Sequence, residues 1–289
     1  MVAAGGSVAM RTPWMLSALV AALMAVQAGL GLVLPEAYRD PDWIRAAWLG
    51  NDWVTLLVGL PLLVVGLVLA RRDSVRGLLL RLGLLGYAAY NYLYYLFGVA
   101  LNAFLPLYIA LVVLAVSALI LGLAHIDVPA VASAFAPRTP CRVLGGCFTV
   151  IGVGLAGAHL AIWAGYAFAG RPTPVEPEVF KLVAALDTAV MAPALIVGGV
   201  LLWRRRPWGF VMSAIAGIQG ALYLLVLSVN SVVSFTRGFV APPGELPLWA
   251  TLGVVVGAAA GVLVTMAGPR PEASTALAQP GGRPSASSR

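Results

Sequence analysis

Charge is what this chain has least of: 10% of its 289 residues are Asp, Glu, Lys or Arg, where soluble domains carry about 25%. Hydrophobic residues make up 61% and the mean hydropathy is +0.95. A water-soluble globule is excluded, and an integral membrane protein is expected. Lysine is almost missing, with Lys181 alone among eighteen basic residues. It falls at a helix end and not at mid-membrane, which excludes a retinal Schiff base. Two histidines, His125 and His159, and two cysteines, Cys141 and Cys147, are too few for a histidine-rich metal centre, and the cysteine spacing matches no zinc or redox motif. No metal site is expected, and the residues name no cofactor. Walker loops and the signatures of kinases, zinc proteases and rhomboid-type proteases are missing too. The Gly-x-Gly at Gly152 and Gly154 lies within an apolar run and reads as helix packing.

What is present is a series of apolar runs. Eight are long enough, at about 20 residues each, to cross a bilayer: 14–34, 52–70, 77–98, 102–124, 143–169, 180–203, 207–235 and 247–267. The expected fold is all-α, a polytopic transmembrane helix bundle of about eight spans over residues 1–268, followed by a disordered cytoplasmic tail at 269–289 that is rich in Pro, Ser, Ala and Gly. The net charge of +7 is no footprint of nucleic acid, because the arginines sit in short clusters between the runs. Thirteen basic residues fall at the N-terminus and in the even-numbered connections and five in the odd-numbered ones. By the positive-inside rule both termini are cytoplasmic. The arginine bias and the Ala, Gly and Val content suggest a bacterial inner membrane, with membrane lipids as partners. The outer connection Pro35–Asn51, with Trp43 and Trp48 among charges, reads as a short interfacial helix, and Asp52 falls with the acidic residues of the outer face. A 4+4 parallel repeat is a candidate: a shift of 133 residues lays Thr55 on Thr188, Gly66 on Gly199 and Tyr90 on Tyr223, with Pro61 and Pro193 one residue out of register.

The stretch Gly86–Asn102 carries five tyrosines and two asparagines inside such a run. Polar groups in hydrocarbon must turn toward protein, water or a ligand. Tyr87, Asn91, Tyr94 and Tyr95 recur at helical spacing, as do His159, Trp163 and Tyr166 on the fifth run, where Gly152, Gly154 and Gly157 permit close helix approach. The sixth run holds Asp187, expected to be the one acidic residue well inside a span, six residues before Pro193. The seventh holds Gln219, Tyr223, Asn230 and Ser234. At about 1.5 Å per residue, Asn91, His159, Asp187 and Asn230 fall at one level, about 8 to 15 Å below the outer helix ends. An outward-facing pocket of Asp187, His159, Asn91, Tyr87, Tyr94, Trp163, Tyr223 and Asn230 is therefore expected. An asparagine in a bundle is more often a helix-to-helix hydrogen bond than a ligand contact, whereas an intramembrane carboxylate marks a functional site by default.

The runs NDWVTLLVGLPLLVVGLVLARR, GYAAYNYLYYLFGVALNAFLPLYIALVVLAVSALI and LVAALDTAVMAPALIVGGVLLWRRRPWGF resemble those of an uncharacterised family of bacterial polytopic membrane proteins. The resemblance implies that these stretches belong to one fold, and it carries neither substrate nor catalytic residues. Three functions fit the residues. A small-solute carrier or binding protein, proton-coupled through Asp187 and His159, would take a small-molecule ligand that the sequence leaves unidentified. An intramembrane enzyme would use the same pair as acid and base on a lipid or isoprenoid. A scaffold would let the polar faces satisfy each other and leave no cavity.

Overall fold

The computed structural model describes residues 5–241 and 243–268, so the tail at 269–289 lies outside the described residues. The described chain is built from eight long helices: α1 (Gly5–Val33), α2 (Asp42–Ala70), α3 (Val75–Gly98), α4 (Leu105–Ala124), α5 (Cys141–Ala169), α6 (Pro177–Trp203), α7 (Pro207–Thr236) and α8 (Leu246–Met266). A short helix, Val128–Ser133, joins α4 to α5. Seven of the eight long helices are long and apolar enough to cross a membrane, which makes the protein a multi-pass membrane protein. The exception is α3, whose tyrosines, Asn91, Arg76 and Arg81 lower its hydropathy. It is also the most enclosed: seventeen of its twenty-four residues are buried. Protein surrounds α3, and so its polar groups need not meet lipid.

The first four helices form one unit, in which α2 and α4 each pack against both α1 and α3. In the second unit α6 packs against α5 and α7, and α7 against α8. The units meet through α3 on α7, flanked by α2 on α7 and α3 on α6. That reciprocity is what a pseudo-two-fold along the bundle axis produces when α3 and α7 are equivalent helices. Both α2 and α6 are interrupted by a π turn, at Thr55–Gly59 and Asp187–Met191. A shift of 132 lays one π turn on the other, Pro61 on Pro193, and the first residue of α3, Val75, on that of α7, Pro207. The register through these features is therefore 132, one less than side-chain identity alone suggests. Proline supplies no N–H and crowds the carbonyl one turn earlier. The wider turn accommodates this just ahead of each proline, with Leu60 N–H donating to Thr55 O and Ala192 N–H to Asp187 O.

One boundary differs from the sequence expectation. Instead of ending as a separate interfacial helix, the stretch from Asp42 runs straight into α2. Trp48 is thereby buried against Tyr95, their ring centroids 5.1 Å apart. Asp52 moves with it, from the outer connection to about 15 Å inside a continuous helix. On α5, only Gly152 of the three glycines approaches a neighbour: a Cβ there would lie 3.0 Å from Ala192 O, whereas Gly154 and Gly157 face open space.

The tightest contact between α5 and α6 lies nearer the start of α5. A Cβ at Gly145 would fall 2.5 Å from Gly199 O, and one at Gly199 would fall 2.6 Å from Gly145 O. The two helices are clasped at that end. Gly199→Val should therefore lower the stability of the detergent-solubilised protein by about 1–3 kcal/mol through overpacking, while Gly154→Val should leave it unchanged. Thermal unfolding of the two variants checks this, and equal losses would contradict the clasp.

Candidate functional site

Two carboxylates are buried within the long helices, one in each four-helix unit, besides Asp40 in the connection before α2, whose Oδ1 accepts from Ala100 N–H at 3.0 Å. Asp52 on α2 has no exposed surface. Tyr38 in the connection between α1 and α2 donates to its Oδ2 at 2.6 Å, while Tyr95 and Gln27 donate to Oδ1 at 2.8 and 3.3 Å. Tyr92 in turn donates to Gln27 Oε1 at 2.9 Å, and Gln27 Nε2 also reaches the Tyr38 hydroxyl at 2.9 Å. Burial, with Asp52 beside it, holds the Tyr38 hydroxyl protonated far above the ordinary tyrosine range, so it remains a donor. There is no room in this network. A Cβ on Gly31 would lie 2.1 Å from Asp52 Oδ2, and for that reason α1 carries glycine there. No cation pairs with Asp52 among the described residues; its charge is met by neutral donors.

Asp187, the first residue of the second π turn, is 2% exposed. Tyr90 donates to its Oδ1 in a short hydrogen bond, Tyr94 donates to the same oxygen at 3.1 Å, and Tyr223 from α7 donates to Oδ2 at 3.4 Å. The three rings brace one another: Tyr90 meets Tyr94 and Tyr223 edge-on, and Tyr94 stacks on Tyr223 at 5.8 Å. Here the fourth partner is a histidine. His159 Nε2 lies 3.6 Å from Asp187 Oδ2, and Nδ1 is 3.1 Å from Leu155 O. With the Nδ1 proton assigned to that carbonyl, a neutral ring presents a lone pair to the carboxylate. Adding a proton at Nε2 turns that lone pair into a donor.

His159 also faces outward, with 14% of its side chain exposed. It lines a cleft of about 570 Å³ between the end of α5 and the start of α6, together with Trp163, Tyr166, Phe180, Lys181 and Thr188. Asp187 is not part of that lining. The histidine is thus the link between a sealed carboxylate and an open, largely aromatic wall.

Of the residues expected to share one pocket, Asp187, His159, Tyr94 and Tyr223 are brought together, and Trp163 lies beyond His159 along the cleft. The others are placed differently. Tyr87 bonds Thr55 at 3.2 Å in the first unit. Asn91 is buried with its Nδ2 unpartnered and makes no bond to Asp187. With its amide turned so that nitrogen meets the acceptors, Asn230 donates to Ala47 O at 3.0 Å and Val226 O at 3.2 Å, a helix-to-helix tie. Tyr90 sits in the stretch singled out from sequence but was not expected at the site. Asp52, Gln27, Tyr38 and Tyr92 were missed outright, and Asp187 is not the sole carboxylate inside a span. One signal was there to find: the shift of 132 that aligns the π turns lays Gln27 on His159.

No family model, curated protein or solved structure matches the chain.

Each phenol on these carboxylates replaces a water lost on burial, so removing one should leave a buried charge short of a donor. Tyr90→Phe and Tyr95→Phe should each lower stability by about 1–3 kcal/mol, while Tyr166→Phe, on the open cleft, should change it little. Thermal unfolding compares the three. Losses no larger than that of Tyr166→Phe would mean the phenols do not solvate the carboxylates.

Proposed function

We propose that this membrane protein is a carrier or binding protein for a compact solute that is partly apolar or cationic, received in the cleft between α5 and α6. The observation that carries the reading is the double contact of His159, which lines the cleft and sits 3.6 Å from buried Asp187. A solute in the cleft would meet Trp163 and Tyr166 with its body or cationic head and His159 with a hydrogen-bonding group. Occupancy there would alter whether the His159–Asp187 pair holds a proton, and this is the means by which binding could couple to proton movement. On this reading the positive-inside rule turns this end of the bundle outward, with both termini cytoplasmic, and the arginine-rich composition favours a bacterial inner membrane.

An enzyme using both groups on one reacting atom is less favoured, because Asp187 is walled off behind three phenols. The scaffold reading is favoured by the closure of the Asp52 network, and the cleft beside His159 counts against it.

A series of alkylamines and the matching alcohols, tested by thermal stabilisation of protein in nanodiscs, separates these readings. Amines should stabilise the wild type, and Trp163→Ala should weaken the best of them about tenfold, the worth of a largely desolvated cation–π contact. In proteoliposomes, uptake of that amine along a pH gradient should be lost in Asp187→Asn while binding remains. A series in which nothing binds, or in which Trp163→Ala changes nothing, would favour the scaffold.

A further inference from the structure

We propose a second binding site, at the opposite, arginine-rich end of the first four-helix unit, for a phosphate-bearing anion held by Arg81. The sequence counts Arg81 among the basic residues at the connection between α2 and α3. Arg81 instead lies six residues into α3, about 9 Å along the helix, and is 7% exposed. Its Nε finds no acceptor, and among the described residues it enters no ion pair. A guanidinium so placed costs about 2.5 to 3.5 kcal/mol even on the milder insertion scale unless something meets its charge. Buried cations are ordinarily paired with an anion.

The space for it is present. Arg81 lines a pocket of about 460 Å³, within the range of small-molecule sites, which α1, α3, α4 and the connection between α2 and α3 enclose. The polar groups converging there with Arg81 are Arg71, Ser74 and His125, while Trp14 gives an apolar wall and Asp73 a carboxylate on the rim. Arg71 is held over the Trp14 ring, 3.6 Å from its centroid, which fixes a second cation beside the first. His125 has Nδ1 2.7 Å from Leu121 O, so its other ring nitrogen is left for the pocket. Ser74 caps α3 by accepting from Gly77 N–H, which brings the positive end of that helix to the same place.

A guanidinium fork matches phosphate oxygens in pairs, and two guanidiniums outweigh the one rim carboxylate. The fold itself does not require the arginine. At the shift of 132 that relates the units, Arg81 corresponds to Ser213, which is fully buried and carries no charge. The charge at 81 therefore belongs to the first unit alone. The same chemistry could come from an anionic phospholipid headgroup with its glycerol against Trp14, or from a soluble phosphate.

Delipidated protein in neutral detergent, titrated with short-chain phosphatidylglycerol and separately with inorganic phosphate, tests this by thermal shift. At least one probe should stabilise the wild type. Arg81→Lys, which keeps the charge but loses the fork, should weaken that binding about tenfold, and Arg71→Gln, at an exposed residue that should not disturb folding, should weaken it severalfold. Response to phosphatidylglycerol alone assigns the site to a lipid headgroup, and response to inorganic phosphate assigns it to a soluble anion. If neither probe stabilises the wild type, or if both variants respond as the wild type does, the proposal is overturned. The amine-binding cleft lies at the other end of the bundle, so its behaviour does not bear on this result.

Discussion

A carboxylate carried into hydrocarbon must be met by something, and in this protein it is met by phenols. Asp52 and Asp187 each accept from tyrosines, and Asp52 has no cation beside it among the described residues. Neutral donors offset desolvation without adding a second buried charge, whose own desolvation could exceed the attraction gained. The rest of the architecture follows from supplying those donors. One helix, α3, contributes tyrosines to both sites, Tyr92 and Tyr95 toward the Asp52 network and Tyr90 and Tyr94 toward Asp187, with Tyr38 and Tyr223 added from outside it. A helix so polar is stable only when enclosed, which is why α3, the one long helix that falls short of a membrane span in hydropathy, occupies the middle of the bundle.

The two sites are not position-for-position equivalents, since the shift of 132 lays Asp187 on Thr55, one turn after Asp52, and their difference is informative. Gln27 and His159 occupy matching positions on α1 and α5, each beside its carboxylate. An amide cannot titrate, and the Asp52 network around it is closed down to the absence of a Cβ at Gly31. An imidazole can, and His159 stands at the edge of an open cleft. Clasped by Gly145 and Gly199 at one end, α5 and α6 leave room for that cleft at the other. One unit has the arrangement of a fixed structural element, the other that of a responsive one.

Much of the fold was legible because lipid imposes a simple rule on sequence: about 20 apolar residues per crossing. The rule reads hydropathy, and where hydropathy and enclosure diverge it misplaces residues. The charges of Asp42, Arg45 and Asp52 made the start of α2 read as a short interfacial helix in the outer connection, although Ala46, Trp48, Leu49 and Asp52 all face protein. Arg81 was assigned to a basic connection for the same reason and is buried. The tyrosine-rich stretch did announce a polar interior. Which carboxylate each tyrosine serves depends on how α3 is rotated against α2, α6 and α7, and no spacing within α3 encodes that. Tyr87 and Tyr94 have helical spacing yet bond on opposite sides of the boundary between the units.

On the proposed reading Asp187, coupled to the cleft by His159, is the carboxylate that changes protonation as the cleft is occupied. Infrared difference spectroscopy of the protein in lipid, titrated with pH and following the carboxyl C=O stretch, tests it directly. A titrating band should vanish in Asp187→Asn, survive in Asp52→Asn and move its midpoint in His159→Gln. A band that persists unchanged in Asp187→Asn, or that disappears only with Asp52, would contradict that reading.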